Sequence, residues 1–110
     1  MMLRKKIFKE LDDTEMRNEA NYQKALDYVS QKKYDKAELL FRELKNRAYK
    51  DSEDQYYSVK YQEGIRFMDE KNYSSASSVF QNIKEYKDAL SKWGECQYLL
   101  GMKNVSQKKI

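Results

Sequence analysis

Apolar side chains recur along this chain with the spacing of an α-helix. From Tyr34 onward, Ala37, Leu40, Phe41 and Leu44 stand at positions i, i+3, i+4 and i+7 of a predicted helix. The segment from Tyr73 repeats the pattern. Its apolar residues are Ala76, Val79, Phe80 and Ile83. A further helix is predicted over residues 51–70. Its apolar stripe consists of Tyr57, Tyr61, Gly64, Ile65 and Met68.

These stripes belong to an internal repeat. The segment 22–45 matches the segment 61–84 at a distance of 39 residues, and Tyr49-Lys50-Asp51-Ser52 returns 37 residues later as Tyr86-Lys87-Asp88-Ala89. The stretch from Phe8 to Leu11 also matches the stretches that begin at Phe41 and Phe80. A period of this size is typical of stacked helix pairs, so the sequence predicts an all-α protein.

The repeat also predicts the order of the elements in a single domain, residues 1–110. Residues 1–12 form the end of a second helix, 14–48 the first repeat, 49–85 the second, and 86–110 the first helix of a third. This amounts to about two and a half repeats, with roughly five to six helices. Asp51 and Asp88 stand where helix N-caps are needed, because a carboxylate can accept the free N–H groups of a first turn.

The repeated residues resemble the tetratricopeptide repeat. That family has a glycine, a large residue three positions later, and then an alanine and a phenylalanine four apart. In this chain they are Gly64, Phe67, Ala76 and Phe80, and in the first unit Ala25, Tyr28, Ala37 and Phe41. The Tyr-Lys-Asp-Ser/Ala linker is similar to a variant found in bacterial repeat proteins. The resemblance implies a right-handed α-solenoid of antiparallel helix pairs that acts in protein binding.

Composition argues against an enzyme. The chain has no histidine, one cysteine (Cys96) and three glycines, so a zinc site, His-based acid–base chemistry and a Gly-rich phosphate loop are not expected. We therefore predict no catalytic residues, no metal and no cofactor. No apolar run is long enough for a membrane span or a secretion signal, so the expected location is the cytoplasm.

The tyrosines are the strongest candidates for a binding surface. The first helices of such repeats line a concave groove, where Tyr22, Tyr61 and Tyr98 would form a ladder suited to a peptide or helix of another protein. The neighbouring groove candidates are Leu26, Val29, Ile65, Met68 and Met102. The alternative is that these positions are core between helices, and the sequence leaves both open. Uncovered repeat ends also predict self-association as an option.

A second functional hypothesis is nucleic-acid binding, because the net charge is +4 and basic residues occur in clusters. The candidate phosphate contacts are Lys5, Lys6, Arg42, Arg47, Lys50, Lys108 and Lys109. Acidic residues lie between these clusters, which makes a protein partner the favoured hypothesis.

Overall fold

The computed structural model describes residues 12–108, with side chains up to residue 103, and this part of the chain is all helical with no strand. The helices are α1 (Asp13–Ser30), α2 (Tyr34–Asn46), α3 (Ser52–Asp69), α4 (Tyr73–Asn82) and α5 (Ala89–Lys108). The predicted starts at Tyr34 and Tyr73 are confirmed, and α3 agrees with the predicted 51–70 helix to within one residue at each end. The helix predicted within residues 1–12 lies outside the described residues except for Asp12.

The chain divides into two compact units, with the boundary between Glu53 and Asp54. The first unit contains α1 and α2, and the second contains most of α3 together with α4 and α5. The single-domain interpretation of the sequence stays a prediction. In the following, α1, α3 and α5 are called the first helices, and α2 and α4 the second helices.

The first unit is a helix pair with an aromatic core. A three-residue turn joins α1 to α2, and such a short connection makes the two helices antiparallel neighbours. Phe41 is fully buried, and its ring meets that of Tyr22 edge to face, with centroids 5.9 Å apart. Ala25, Ala37 and Leu44 are also buried, as the helical stripes require.

The second unit has its own core. Its buried members are Ala76, Phe80, Ile83, Ala89 and Cys96, and aromatic residues of α3 pack against them. The Phe80 ring lies so close to the α3 backbone that a Cβ added at Gly64 would be 2.7 Å from its Cζ atom. A glycine inside a helix costs about 1 kcal/mol relative to alanine. Packing of the Phe80 ring against the bare backbone explains why Gly64 is accommodated.

The helices α1 and α3 end without glycine, at lysines in the left-handed conformation. Lys32 has φ of 60° and Lys71 has φ of 61°. In both cases the next N–H donates to a carbonyl five residues back: Lys33 to Tyr28, and Asn72 to Phe67, both at 2.8 Å. This bond closes a Schellman turn and fixes where the second helix begins.

Candidate partner-binding site

The three ladder tyrosines stand in different environments. Tyr22 is only 8% exposed, whereas Tyr98 is 66% exposed. Tyr61 is intermediate, and its ring lies 5.7 Å from the ring of Phe80. Tyr22 and Tyr61 therefore serve the cores of their units, which is the alternative that the sequence left open. Tyr98 is the ladder member whose ring faces solvent.

Both covered tyrosines also bind an aspartate through the phenol group. Tyr22 donates to Asp51 and Tyr61 to Asp88, each with an O–O distance of 2.5 Å. These bonds raise the pKa of both phenols, that of Tyr61 to about 12, with partial burial adding to the effect. The hydroxyls thus remain protonated donors over the physiological pH range. Sequence reasoning missed this pairing, although both Asp residues were expected at the helix starts.

The other groove candidates also divide into covered and exposed residues. Leu26, Val29, Ile65 and Met68 are half-buried, and the last two pack against the core of the second unit. Met102, in contrast, is 54% exposed. The exposed candidates are therefore both on α5.

The open side of α5 consists of Tyr98, Gly101 and Met102. Gly101 corresponds to Gly64 in the repeat, but apart from its own helix no described atom lies within 4 Å of the position that a Cβ would occupy at Gly101. In α3 the Tyr61–Gly64 surface carries the ring of Phe80. The same surface on α5 carries no ring among the described residues. The other side of α5 is closed, because Cys96 belongs to the buried cluster that also includes Phe80.

The helix α1 has an open region on its N-terminal half. Ala20 is exposed, although Val59 and Cys96, the corresponding residues of α3 and α5, are buried. Ala20 and the 61% exposed Met16 line a groove of about 780 Å³ that extends to the loop after α2. Among described residues, therefore, α1 is uncovered where the later first helices are covered.

Polar groups line the far wall of this groove. Glu19 accepts hydrogen bonds from Tyr49 and Gln23 and forms a 2.5 Å ion pair with Lys50. The Lys50 ammonium is the largest cause that lowers the pKa of Glu19 to about 2, followed by the Tyr49 hydroxyl. The same contact raises the pKa of Lys50. Sequence reasoning did not find this cluster, because its members come from two separate segments.

The basic residues of the nucleic-acid hypothesis contact acids wherever they are described. Arg42 lies 3.9 Å from Glu38, and Arg47 lies 3.2 Å from Glu43. Lys50 is paired with Glu19 as described above. Lys5, Lys6 and Lys109 lie outside the described residues, as does the side chain of Lys108. The described basic groups are thus engaged within the protein.

Across residues 12–103 no three acidic, cysteine or histidine side chains gather into a metal-binding group. Cys96 is buried, and its desolvation raises the pKa of the thiol, which disfavours the nucleophilic thiolate. None of the described helices combines the length and apolar character needed to cross a bilayer.

Comparison with known proteins leaves the site to be interpreted from its geometry. No family model, curated protein or solved structure matches the chain.

Proposed function

We propose that the protein is a non-catalytic interaction module, a right-handed α-solenoid similar to tetratricopeptide repeats, that binds a helix of a partner protein. The observation that carries the proposal is the open side of α5. Tyr98 and Gly101 repeat the pair that holds Phe80 on α3, yet they face solvent. A helix that carries an aromatic side chain would bury this surface as α4 buries that of α3.

The size and type of these side chains suit binding. An exposed tyrosine next to a glycine and a methionine provides a large apolar contact, and Met102 can adapt to the shape of its partner. Burial of such a ring typically stabilises a complex by about 1.5–3 kcal/mol. The tyrosine hydroxyl would remain available to a polar group at the edge of the interface.

Affinity capture with matched variants tests this function. The tagged full chain would be used as bait in a lysate of its own cells, beside Tyr98→Asp and Lys103→Asp. Lys103 is exposed on α5, and the corresponding residues Asp27 and Arg66 are exposed too. We expect a stoichiometric protein with the wild type and with Lys103→Asp, and its loss with Tyr98→Asp. Equal capture by all three baits would contradict a role for this side of α5.

The nucleic-acid alternative is tested in the same experiment. Material that nuclease treatment removes from every bait would favour that alternative over a protein partner. The ion pairs of Arg42, Arg47 and Lys50 argue against it, since each basic group already contacts an acid.

A further inference from the structure

On α5, Tyr98 and Gly101 correspond to residues that contact a phenylalanine ring on the other first helices. This surface of Tyr98 and Gly101 is called the seat. On α3 the corresponding surface is built by Tyr61 and Gly64, with the Phe80 ring 5.7 Å from the tyrosine and against the bare glycine. On α1 the same position pairs Tyr22 with Phe41 at 5.9 Å. Both occupants are the phenylalanine of the following second helix. We therefore expect the seat on α5 to bind the ring of a corresponding phenylalanine.

A sequence with this phenylalanine stands before the first described helix. The sequence Phe-Lys-Glu-Leu at residues 8–11 repeats Phe-Arg-Glu-Leu at 41–44. The preceding residue is apolar in each case: Ile7, Leu40 and Val79. The chain has four phenylalanines, and three of them, at positions 41, 67 and 80, are buried or packed in the cores. Phe8 is the fourth.

One residue shows which part of the segment can make the contact. Arg4 stands where Ala37 and Ala76 are fully buried in the second helices. A long charged side chain prevents the close approach that alanine permits. The contact would therefore be made by residues 7–11.

The linker before α1 distinguishes this segment from α2 and α4. Six residues separate Leu44 from Asp51, and four separate Ile83 from Asp88. Leu11 is followed directly by Asp12, whose side chain caps α1 by accepting from the N–H of Glu15. The sequence therefore leaves no residues between Leu11 and the cap of α1 for a loop like those that follow Leu44 and Ile83. This favours contact of the segment with another molecule.

The helix α4 contacts two first helices. Phe80 of α4 contacts α3, and the same cluster includes Cys96 of α5. The protein has two matching vacancies at the described ends: the seat at Tyr98 and Gly101, and the α1 groove beside Ala20. A segment that extends from the start of α1 of one copy to α5 of another would cover the open surface at Tyr98 and Gly101.

We propose that a second copy of this chain docks residues 7–11 onto α5, with its Phe8 ring against Tyr98 and Gly101. The copies then assemble head to tail, because the donor segment and the acceptor seat are different surfaces. This inference rests on the proposed function, since it names the partner of the same side of α5.

A mixing experiment tests head-to-tail docking directly. Sedimentation of the full-length chain is measured over a range of concentrations for wild type, Phe8→Ala and Tyr98→Asp, with circular dichroism to verify folding. Each variant is expected to weaken self-association at least about tenfold, because each removes one half of the same contact. An equimolar mixture restores association, but only to dimers. In the mixture, Phe8 of the Tyr98→Asp variant can bind the intact seat of the Phe8→Ala variant.

The controls keep the result interpretable. Lys103→Asp changes an exposed neighbouring residue of α5 and should associate like the wild type. If Phe8→Ala lowers helicity, Phe8→Leu replaces it as the donor variant in the mixture. Met102→Asp is a second variant of the acceptor surface on α5 and should also weaken association.

Two outcomes would overturn the proposal. A wild type that stays monomeric up to high micromolar concentration excludes docking between copies. Variants that do not complement each other exclude the Phe8–Tyr98 contact. If either occurs while lysate capture still depends on Tyr98, another protein occupies the seat and the proposed function stands. If the copies do not dock through this contact and lysate capture does not depend on Tyr98 either, the proposed function is contradicted as well.

Discussion

The hydroxyl of Tyr61 donates a 2.5 Å hydrogen bond to the carboxylate of Asp88, the residue that directly precedes α5. Tyr22 makes the same bond to Asp51, directly before α3. A first helix is thus linked by a side chain to the start of the next one. Since the acceptor is charged, the bond is stronger than one between neutral groups.

Replacement of Tyr61 by phenylalanine should remove this bond and leave the ring packing intact. We expect the free energy of unfolding to fall by about 1 kcal/mol, because the contact is partly open to water. Tyr22→Phe should have an equal or larger effect, since Tyr22 is more deeply buried. Urea unfolding measures both. Tyr98→Phe is the matched control and should be neutral, and a loss as large as that of Tyr61→Phe would contradict this account.

Ser52 should be replaceable by alanine with a gain in stability. It is fully buried, and its hydroxyl has no hydrogen-bond partner among the described residues. Alanine already occupies the corresponding position, Ala89, which is buried as well. An unsatisfied buried hydroxyl costs about 1–3 kcal/mol, so Ser52→Ala should raise the thermal midpoint.

A second buried serine provides the control for that substitution. Ser77 is buried, but its hydroxyl accepts a 2.6 Å hydrogen bond from Gln97. Ser77→Ala should therefore lower the thermal midpoint. Similar shifts of the thermal midpoint in the two variants would show that the lack of a hydrogen-bond partner at Ser52 does not determine the stability change.

Glycine should stabilise the left-handed ends of the first helices. Lys32 and Lys71 have φ near 60°, a conformation that costs an L-residue about 1 kcal/mol or more. We expect Lys71→Gly and Lys32→Gly each to raise the free energy of unfolding by up to about 1 kcal/mol. Lys71→Ala retains a Cβ and should give no gain. Lys24→Gly, in the interior of α1, should be destabilising, and a gain there would contradict the argument.

The Glu19 cluster predicts a defined sensitivity to acid. The folded-state pKa of Glu19, about 2, lies below its usual value of about 4.3, so the ionised group stabilises the fold at neutral pH. That contribution is fully present above the usual pKa and is lost as pH falls toward 2. Glu19→Gln should therefore flatten the decline of the urea midpoint between pH 4.5 and 2.5. Asp27→Asn, on the same helix, serves as control and should decline like the wild type.

The sequence predicted the helices well because their stripes are local. Tyr34 and Tyr73 begin the second helices as expected, and Ala37 and Ala76 are buried as the stripe requires. A spacing of three and four residues determines which side chains share a helix face, independently of the element that packs against that face. The elements could thus be located without tertiary information.

The site was less accessible to sequence reasoning because exposure depends on the neighbouring helix. Tyr22 and Tyr98 have the same place in the repeat, yet one is core and the other faces solvent. The left-handed lysines were missed because glycine is the usual signal for that backbone. Comparison of Lys32 with Lys71 in the repeat could have revealed them, since both end a first helix.

The two Tyr–Asp bonds span loops of different length. Tyr22 and Asp51 are separated by 29 residues and Tyr61 and Asp88 by 27, yet the O–O distance is 2.5 Å in both cases. The two additional residues in the loop after α2 are accommodated without displacement of either partner. An epitope or fluorophore-binding peptide inserted after Asn46 should therefore leave the helix pair intact, which would make this loop a suitable place to label the protein.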